Sequence, residues 1–376
     1  MIRELPDGMA RLRDRTASWA GELRAGALGL DRDPEAIRDR LEEPAVRFLA
    51  ELGGDGPVTP GRDTLERVVV AEELARGDAG ALLASPGPSM SGVLLAVLGS
   101  PEQRDWFYGR LGERPTWTCF ALTEPERGSA IGEMSSVLTP DGDGGYVLHG
   151  TKRYVGNASR AGVAAVFARV AGTERLGVTA VLVDTADPGY RARPLPMLGL
   201  RGAQFSSVSL DGVRVPADRV LGTHLSPARR GMWSIVQVFN RLRPSVAAIA
   251  LGIARAAHEY VGEQRGTLRG AERERYEELG RRIDAARLLT YRAADAVDAR
   301  PSAGHLGSAA KARAAVLAED VTRSALGFFG PGARLDHPLL DKLARDARGV
   351  EFMEGAGNIQ KLTLFHGLQA GKVGRP

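Results

Sequence analysis

Trp117-Thr-Cys-Phe-Ala-Leu-Thr123, Tyr146-Val-Leu-His-Gly150, Ala164-Ala-Val-Phe-Ala-Arg-Val170, Thr179-Ala-Val-Leu-Val-Asp184 and Ser207-Val-Ser-Leu-Asp-Gly-Val-Arg-Val-Pro216 decide the fold. They are short β-rich runs with turns and no helical text between them. Asp141-Gly-Asp-Gly-Gly145 is a hairpin-turn signal. Strands at this spacing predict an antiparallel barrel or sandwich.

The text on either side is helical. Upstream, Ile37 to Leu52 carries apolar residues near helical spacing, with Pro44 as a break, and Leu65 to Ala75 repeats the pattern. Leu52-Gly-Gly-Asp-Gly-Pro57 is a Gly-rich turn, and Ser85-Pro-Gly-Pro-Ser89 interrupts the pattern again. Met90 to Leu98, nearly all apolar and small, predicts a buried helix. Downstream, Ser234 to His258 (interrupted at Pro244), Glu272 to Val297, Ala309 to Phe329 and Pro338 to Arg348 predict a four-helix bundle. The expectation is an α+β protein of three domains: an N-terminal helical domain over residues 1–115, a middle β domain over 116–227, and a C-terminal helical bundle over 228–376.

Composition bounds the function. With 43% apolar and 26% charged residues, the 376-residue chain has the balance of a soluble globular protein. No apolar run approaches the roughly 20 residues that span a bilayer. Met1-Ile-Arg-Glu-Leu-Pro-Asp7 has no apolar signal core, and the single Cys119 forms no internal disulfide, so a cytoplasmic setting is expected. The net charge of +4 is almost entirely arginine against acid, interleaved as in Glu272-Arg-Glu-Arg-Tyr-Glu-Glu278. That is a solvated helix face, which speaks against nucleic-acid binding. The six histidines show no ligand spacing, so no metal site is expected.

Five motifs carry the chemistry. Glu351-Phe-Met-Glu354-Gly355 sets a carboxylate beside a glycine in an apolar stretch, which keeps a general base desolvated and close to its substrate. Phe120-Ala-Leu122-Thr123-Glu-Pro-Glu-Arg-Gly128-Ser129 is a strand running into a loop whose N–H and hydroxyl groups suit a ring edge or a pyrophosphate. Gly150-Thr-Lys152-Arg-Tyr154-Val-Gly156-Asn157, Phe239-Asn-Arg-Leu242-Arg243-Pro, and Glu263-Gln-Arg265-Gly-Thr267 follow.

In this order and spacing the motifs resemble the acyl-CoA dehydrogenase family of flavoenzymes. The resemblance implies FAD held by Phe120, Leu122, Thr123, Gly128 and Ser129, with Thr123 and its neighbouring backbone at the flavin ring and Ser129 near the pyrophosphate. Tyr154 would cover the flavin, and Gly156 stands where the family has a hydroxyl for flavin N5. Arg265 and Thr267 would reach the pyrophosphate across a subunit interface, with Phe328 on the adenine side. Glu354 would be the base that takes the α-proton of an acyl thioester, with Glu351 a weaker candidate. Arg243 and Gly355 would lie at the substrate. Ala130, Tyr276 and Leu326 depart from the family's usual polar residues. The departures resemble biosynthetic branches of the family. The implied partners are an acyl thioester of coenzyme A or of an acyl carrier protein, an electron-transfer partner or oxygen, and further copies of the chain in a homodimer or homotetramer. Two other readings stay open: a flavin monooxygenase or oxidase on the same fold, and a catalytically silent subunit of a hetero-oligomer.

Overall fold

The computed structural model describes residues 5–51, 64–126, 128, 131–173 and 177–372. Ser129, Ala130 and the Gly-rich turn after Leu52 lie outside the described residues. The N-terminal helices are α1 (Asp7–Ser18), α2 (Ala20–Arg32), α3 (Pro44–Glu51), α4 (Thr64–Ala84), α5 (Ser89–Leu98) and α6 (Pro101–Gly112). Pro44 opens α3, where its missing N–H costs no helical bond. Strands β1 (Trp117–Ala121), β2 (Val137–Pro140), β3 (Tyr146–Val155), β4 (Ala161–Val170), β5 (Val178–Asp184), β6 (Tyr190–Pro194) and β7 (Ser206–Val215) come next. Helices α7 (Met232–Arg265), α8 (Gly270–Ala299), α9 (Gly304–Gly327), α10 (Ala333–Asp336), α11 (Pro338–Val350) and α12 (Gly357–Gln369) complete the chain.

The sheet runs β1-β4-β2-β3-β7-β6, with β5 paired to β4. Most pairings are antiparallel, but β1 and β2 both run parallel to β4, so the expected antiparallel sheet is a mixed one. The long passage from β1 to β4 leaves room for that parallel return. β4 and β5 read as unbroken apolar runs because both of their faces are covered. Val163, Ala165 and Phe167 pack toward α5 and the start of α7, while Ala164, Val166 and Ala168 pack inside the curled sheet. β3 and β7, by contrast, alternate buried and exposed positions. Sequence periodicity misses β2, which is short, and β6, whose Arg191, Arg193 and Pro194 give it the polar character of an edge strand.

The core of the bundle joins α4, α7, α8, α9 and α11 through residues such as Val69, Ile249, Ile283, Leu317 and Leu343. One polar junction ties the three regions together. Lys342 on α11 is almost fully buried, and its Nζ lies 2.6 Å from both Asp78 Oδ1 on α4 and Asp346 Oδ2 on α11. Asp346 Oδ1 accepts from the backbone N–H of Leu200, in the loop between β6 and β7. Asp78 breaks the helical geometry of α4 at φ −157°, ψ 112° and accepts from Gly80 N. Next along α11, Arg345 grips Asp31 of α2 at 2.7 Å and donates to the carbonyl of Leu198. Removing one partner of such a buried network leaves uncompensated charge, so Lys342→Met is expected to cost about 3–5 kcal/mol. Urea unfolding should read this as a lower midpoint, and the further change Asp346→Asn should recover part of it.

Candidate active site

Glu354 lies in the turn between α11 and α12 with φ +47°, in the left-handed region that L-residues seldom adopt. Gly355 follows at φ +99°, and a Cβ there would come within 3.0 Å of the Gln360 amide, so both its conformation and its space call for glycine. The Glu354 residue is partly exposed, yet its Oε2 is sealed from solvent and has no hydrogen-bond partner among the described residues. Burial pushes this carboxyl up to about 7, against the opposing pull of Lys311 and then Arg243. Its backbone N–H likewise has no hydrogen-bond partner among the described residues. Glu351, the second candidate, is engaged elsewhere: its Oε1 accepts from Gly357 N at 2.7 Å, at the start of α12.

The cations beside Glu354 come from two helices. Arg243 of α7 is buried. Its Nε lies 3.4 Å from the Glu354 carbonyl and its Nη1 3.2 Å from Ser308 Oγ. Burial lowers it to about 10, and Glu354 pulls the other way. Lys311 of α9 is wholly buried, and burial lowers it too. Leu242, beside Arg243, packs with Phe239, Phe120 and Leu122 in the cluster that also holds Phe167. The Phe120 ring lies 5.1 Å from Phe167 and 6.4 Å from Phe239. A chain of contacts thus joins the end of β1 to Arg243, Glu354 and Gly355.

Sequence reasoning missed the pin that shapes the loop after β1. Glu124 is buried and accepts four hydrogen bonds, from the N–H and hydroxyl groups of Ser135 and Ser136, at 2.6–2.9 Å. Lys152 of β3, fully buried, donates to Glu124 Oε1 at 3.0 Å and to the Leu122 carbonyl at 3.1 Å. Burial pushes Glu124 up, but these donors and the ammonium outweigh it and hold the carboxyl at about 2. The signal was present, since Glu124 and Lys152 both stand inside the quoted motifs. Thr123 is half-buried, and its carbonyl accepts from Arg153 N. Gly128 is exposed.

Tyr154, at φ +59°, is 52% exposed, and Arg153 lies 5.3 Å over its ring. Asn157 is buried, donates to the Leu83 carbonyl at 2.8 Å, and leaves its Oδ1 without a described partner. A Cβ on Gly156 would meet Phe205 at 3.7 Å and the Ala203 carbonyl at 3.8 Å, which is ordinary contact. Packing therefore does not impose glycine there.

Arg265, Thr267 and Phe328 are elsewhere. Arg265 ends α7, roughly 33 Å beyond Arg243 at 1.5 Å per residue. It pairs with Glu272 at 2.8 Å, while its Nε is buried and unpartnered among the described residues. Thr267 is exposed in the next turn. Phe328 caps α9 and lies under Arg275 at 5.4 Å. A cavity of about 390 Å³ lies apart from Glu354, lined by Arg13, Arg76, Arg255, Arg287, Glu73 and Tyr291 among others. Arg76, Arg255 and Arg287 pair with Glu72, Glu73, Glu259 and Asp284, so its walls are an ion-pair network. Among the described residues no group of three His, Cys, Asp or Glu could hold a metal, and no helix is long and apolar enough to cross a membrane.

The family models for the acyl-CoA dehydrogenase middle domain and C-terminal domain match residues 119–213 and 229–368. A cyclohexane-1-carbonyl-CoA dehydrogenase of Geobacter metallireducens is 32% identical over 304 residues, 78% of this chain and 78% of its own. The chain belongs to the acyl-CoA dehydrogenase family. Acyl-CoA dehydrogenases are oxidoreductases, and the family's cofactor is FAD. A glutaryl-coenzyme A dehydrogenase in complex with glutaryl-CoA superposes with a TM-score of 0.84 at 25% identity, covering 98% of this chain and 97% of its own. A prolyl acyl carrier protein oxidase, AnaB, shares the fold with a TM-score of 0.82 at 20% identity, covering 97% and 100%.

Within this acyl-CoA dehydrogenase fold, Glu124 gives a pH test. Its folded value lies below the usual 4.5, so its stabilisation is present above about pH 4.5 and lost as pH falls toward 2. Glu124→Gln is expected to lower stability near neutral pH and to flatten that acid limb. Urea midpoints measured from pH 7 down to pH 3 check it, and an equally steep limb in the variant counts against the assignment.

Proposed function

We propose that this chain is an FAD-dependent acyl-thioester dehydrogenase that introduces an α,β-double bond, with Glu354 as the base. The sealed, unpartnered Oε2 of Glu354, titrating near neutrality, carries this reading. A group that is half ionised near pH 7 accepts a proton from a weak carbon acid better than an ordinary solvated carboxylate. Lys311 and then Arg243 favour its ionised form against the effect of burial. The Glu354 N–H, without a partner among the described residues, is a donor for the thioester carbonyl, where negative charge develops as the α-proton leaves. Bound FAD supplies the acceptor for the hydride that departs from the β-carbon.

The residues present fit that cofactor. The pinned loop of Phe120, Leu122, Thr123 and Gly128, the exposed ring of Tyr154 and the open edge at Gly156 would hold the flavin. Thr123 keeps a hydroxyl with no described partner. Arg265, Thr267 and Phe328 are too far along the bundle to share a flavin with Glu354 of their own chain. The buried, unpartnered Nε of Arg265 fits an anion brought by a second copy, which supports a homodimer or a homotetramer. The sealed Oε2 of Glu354 weighs against a silent subunit. The acyl group rides on coenzyme A or on a carrier protein's phosphopantetheine arm, which present the same thioester. A cytoplasmic setting accords with the free, buried Cys119.

Anaerobic titration with acyl-CoA thioesters and with acyl-loaded carrier protein, followed by flavin absorbance, separates the two carriers. Glu354→Gln is expected to stay yellow and to lose bleaching by at least about a thousandfold. The wild-type bleaching rate should rise as pH passes about 7 and level off above it, because only the ionised carboxylate takes the proton. Normal bleaching in the variant removes Glu354 as base.

A second reading, oxygen as the electron acceptor, is favoured by Gly156, since the space for a side chain there is left open. Gly156→Thr is expected to fold and to slow reoxidation of the reduced flavin by oxygen. Stopped-flow reoxidation at an unchanged rate would argue for a separate electron-transfer partner.

A further inference from the structure

The turn that carries Glu354 is held by side chains from three helices. Lys311 on α9 donates through Nζ to the carbonyls of Glu351 at 2.6 Å and Gly355 at 2.8 Å, one on each side of Glu354. Gln360 on α12, fully buried, donates through Nε2 to the carbonyls of Glu354 at 3.0 Å and Gly355 at 2.7 Å. Arg243 on α7 approaches the Glu354 carbonyl from a third side. Lys311 is wholly buried, and its hydrogen-bond partners are carbonyls, with no ion pair among the described residues. An ammonium in that setting carries a large desolvation cost for a task that a neutral donor could share.

We propose that Lys311 and Gln360 are positioning residues for the reaction, clamping the main chain on both sides of Glu354, with the Lys311 charge also setting when Glu354 ionises. This rests on Glu354 being the base. The clamp accounts for the positive φ of Glu354. A non-glycine residue persists at positive φ only where its surroundings over-determine it, and four carbonyl hydrogen bonds from two buried side chains do so. The charges that face Glu354 are Lys311 from α9 and Arg243 from α7, Glu351 shares its turn, and α12 contributes the neutral Gln360. Lys311 is the larger of the two influences that favour the ionised carboxylate. Position and charge can therefore be separated, because Gln360 supplies only the first.

The test uses the FAD-loaded protein with Lys311→Met and Gln360→Met, both close in length to the original side chain. Hydrogen exchange of the 351–357 segment, read by mass spectrometry, reports the clamp independently of turnover. Both variants are expected to raise exchange there by about tenfold, with the sheet unchanged, since each loses two buried hydrogen bonds. The pH profile of flavin bleaching reports the charge. Lys311→Met is expected to move its midpoint up by about one unit. Gln360→Met is expected to leave the midpoint in place and lower the plateau by about tenfold.

Unchanged exchange in both variants overturns the clamp, and an unmoved midpoint in Lys311→Met overturns the role of its charge. If Lys311→Met does not fold, Gln360→Met alone decides the clamp. Should Glu354→Gln still bleach, the base assignment fails, while the exchange measurement still judges the clamp.

Discussion

The Lys342 ammonium between Asp78 and Asp346 is the constraint on which the arrangement of domains depends. Leu200 N and Gly80 N add hydrogen bonds to the two carboxylates that flank this one ammonium. Because those groups come from α4, α11 and the loop after β6, the network forms only when all three regions are in register. Hydrophobic packing alone tolerates sliding, whereas a buried, directional set of hydrogen bonds does not. Arg345 extends the same logic to α2 through Asp31. The consequence reaches the chemistry, since α11 ends four residues before Glu354, and fixing α11 fixes where that turn begins.

Two carboxylates in this protein are driven in opposite directions by their surroundings. Glu124 is buried among hydroxyls, amides and an ammonium and stays ionised as a structural pin. Glu354, with its Oε2 sealed from solvent, lies beside cations that hold its backbone more than its carboxylate, and it titrates near neutrality. The difference lies in where the donors point. Around Glu124 they point at the side-chain oxygens, and around Glu354 they point at the carbonyls of the turn, leaving Oε2 unsatisfied. The same residue type thus serves as scaffold in one place and as candidate base in the other.

The order of helical, β and helical segments was legible from periodicity, because long amphipathic helices and apolar strands leave strong local patterns. Val137–Pro140 and Tyr190–Pro194 were not, since short or edge strands bury too few residues to leave a period. Nor was α12, whose exposed Leu362, Phe365 and Leu368 blur the polar face a surface helix normally presents. Glu354, Gly355 and the loop after β1 could be read from motif text. What could not be read was the pairing of Lys311 with the Glu354 turn, of Lys342 with Asp78, and of Glu124 with Ser135, Ser136 and Lys152, whose members lie 11 to 264 residues apart. The parallel pairings of β4 were hidden for the same reason. Arg265, Thr267 and Phe328 carry family-like text but sit at the opposite end of the bundle, a separation that only the three-dimensional course of α7 and α9 makes plain.

The left-handed backbone at Glu354 sets function against robustness. A glutamate at φ +47° costs on the order of 1 kcal/mol relative to glycine, and burying its Oε2 adds a desolvation penalty. Drift at this position toward glycine or asparagine would relieve both, giving a sturdier protein without its proposed base. Among homologues, then, persistence of glutamate here would mark selection for chemistry, and its loss would be the path of least resistance once that selection lapsed.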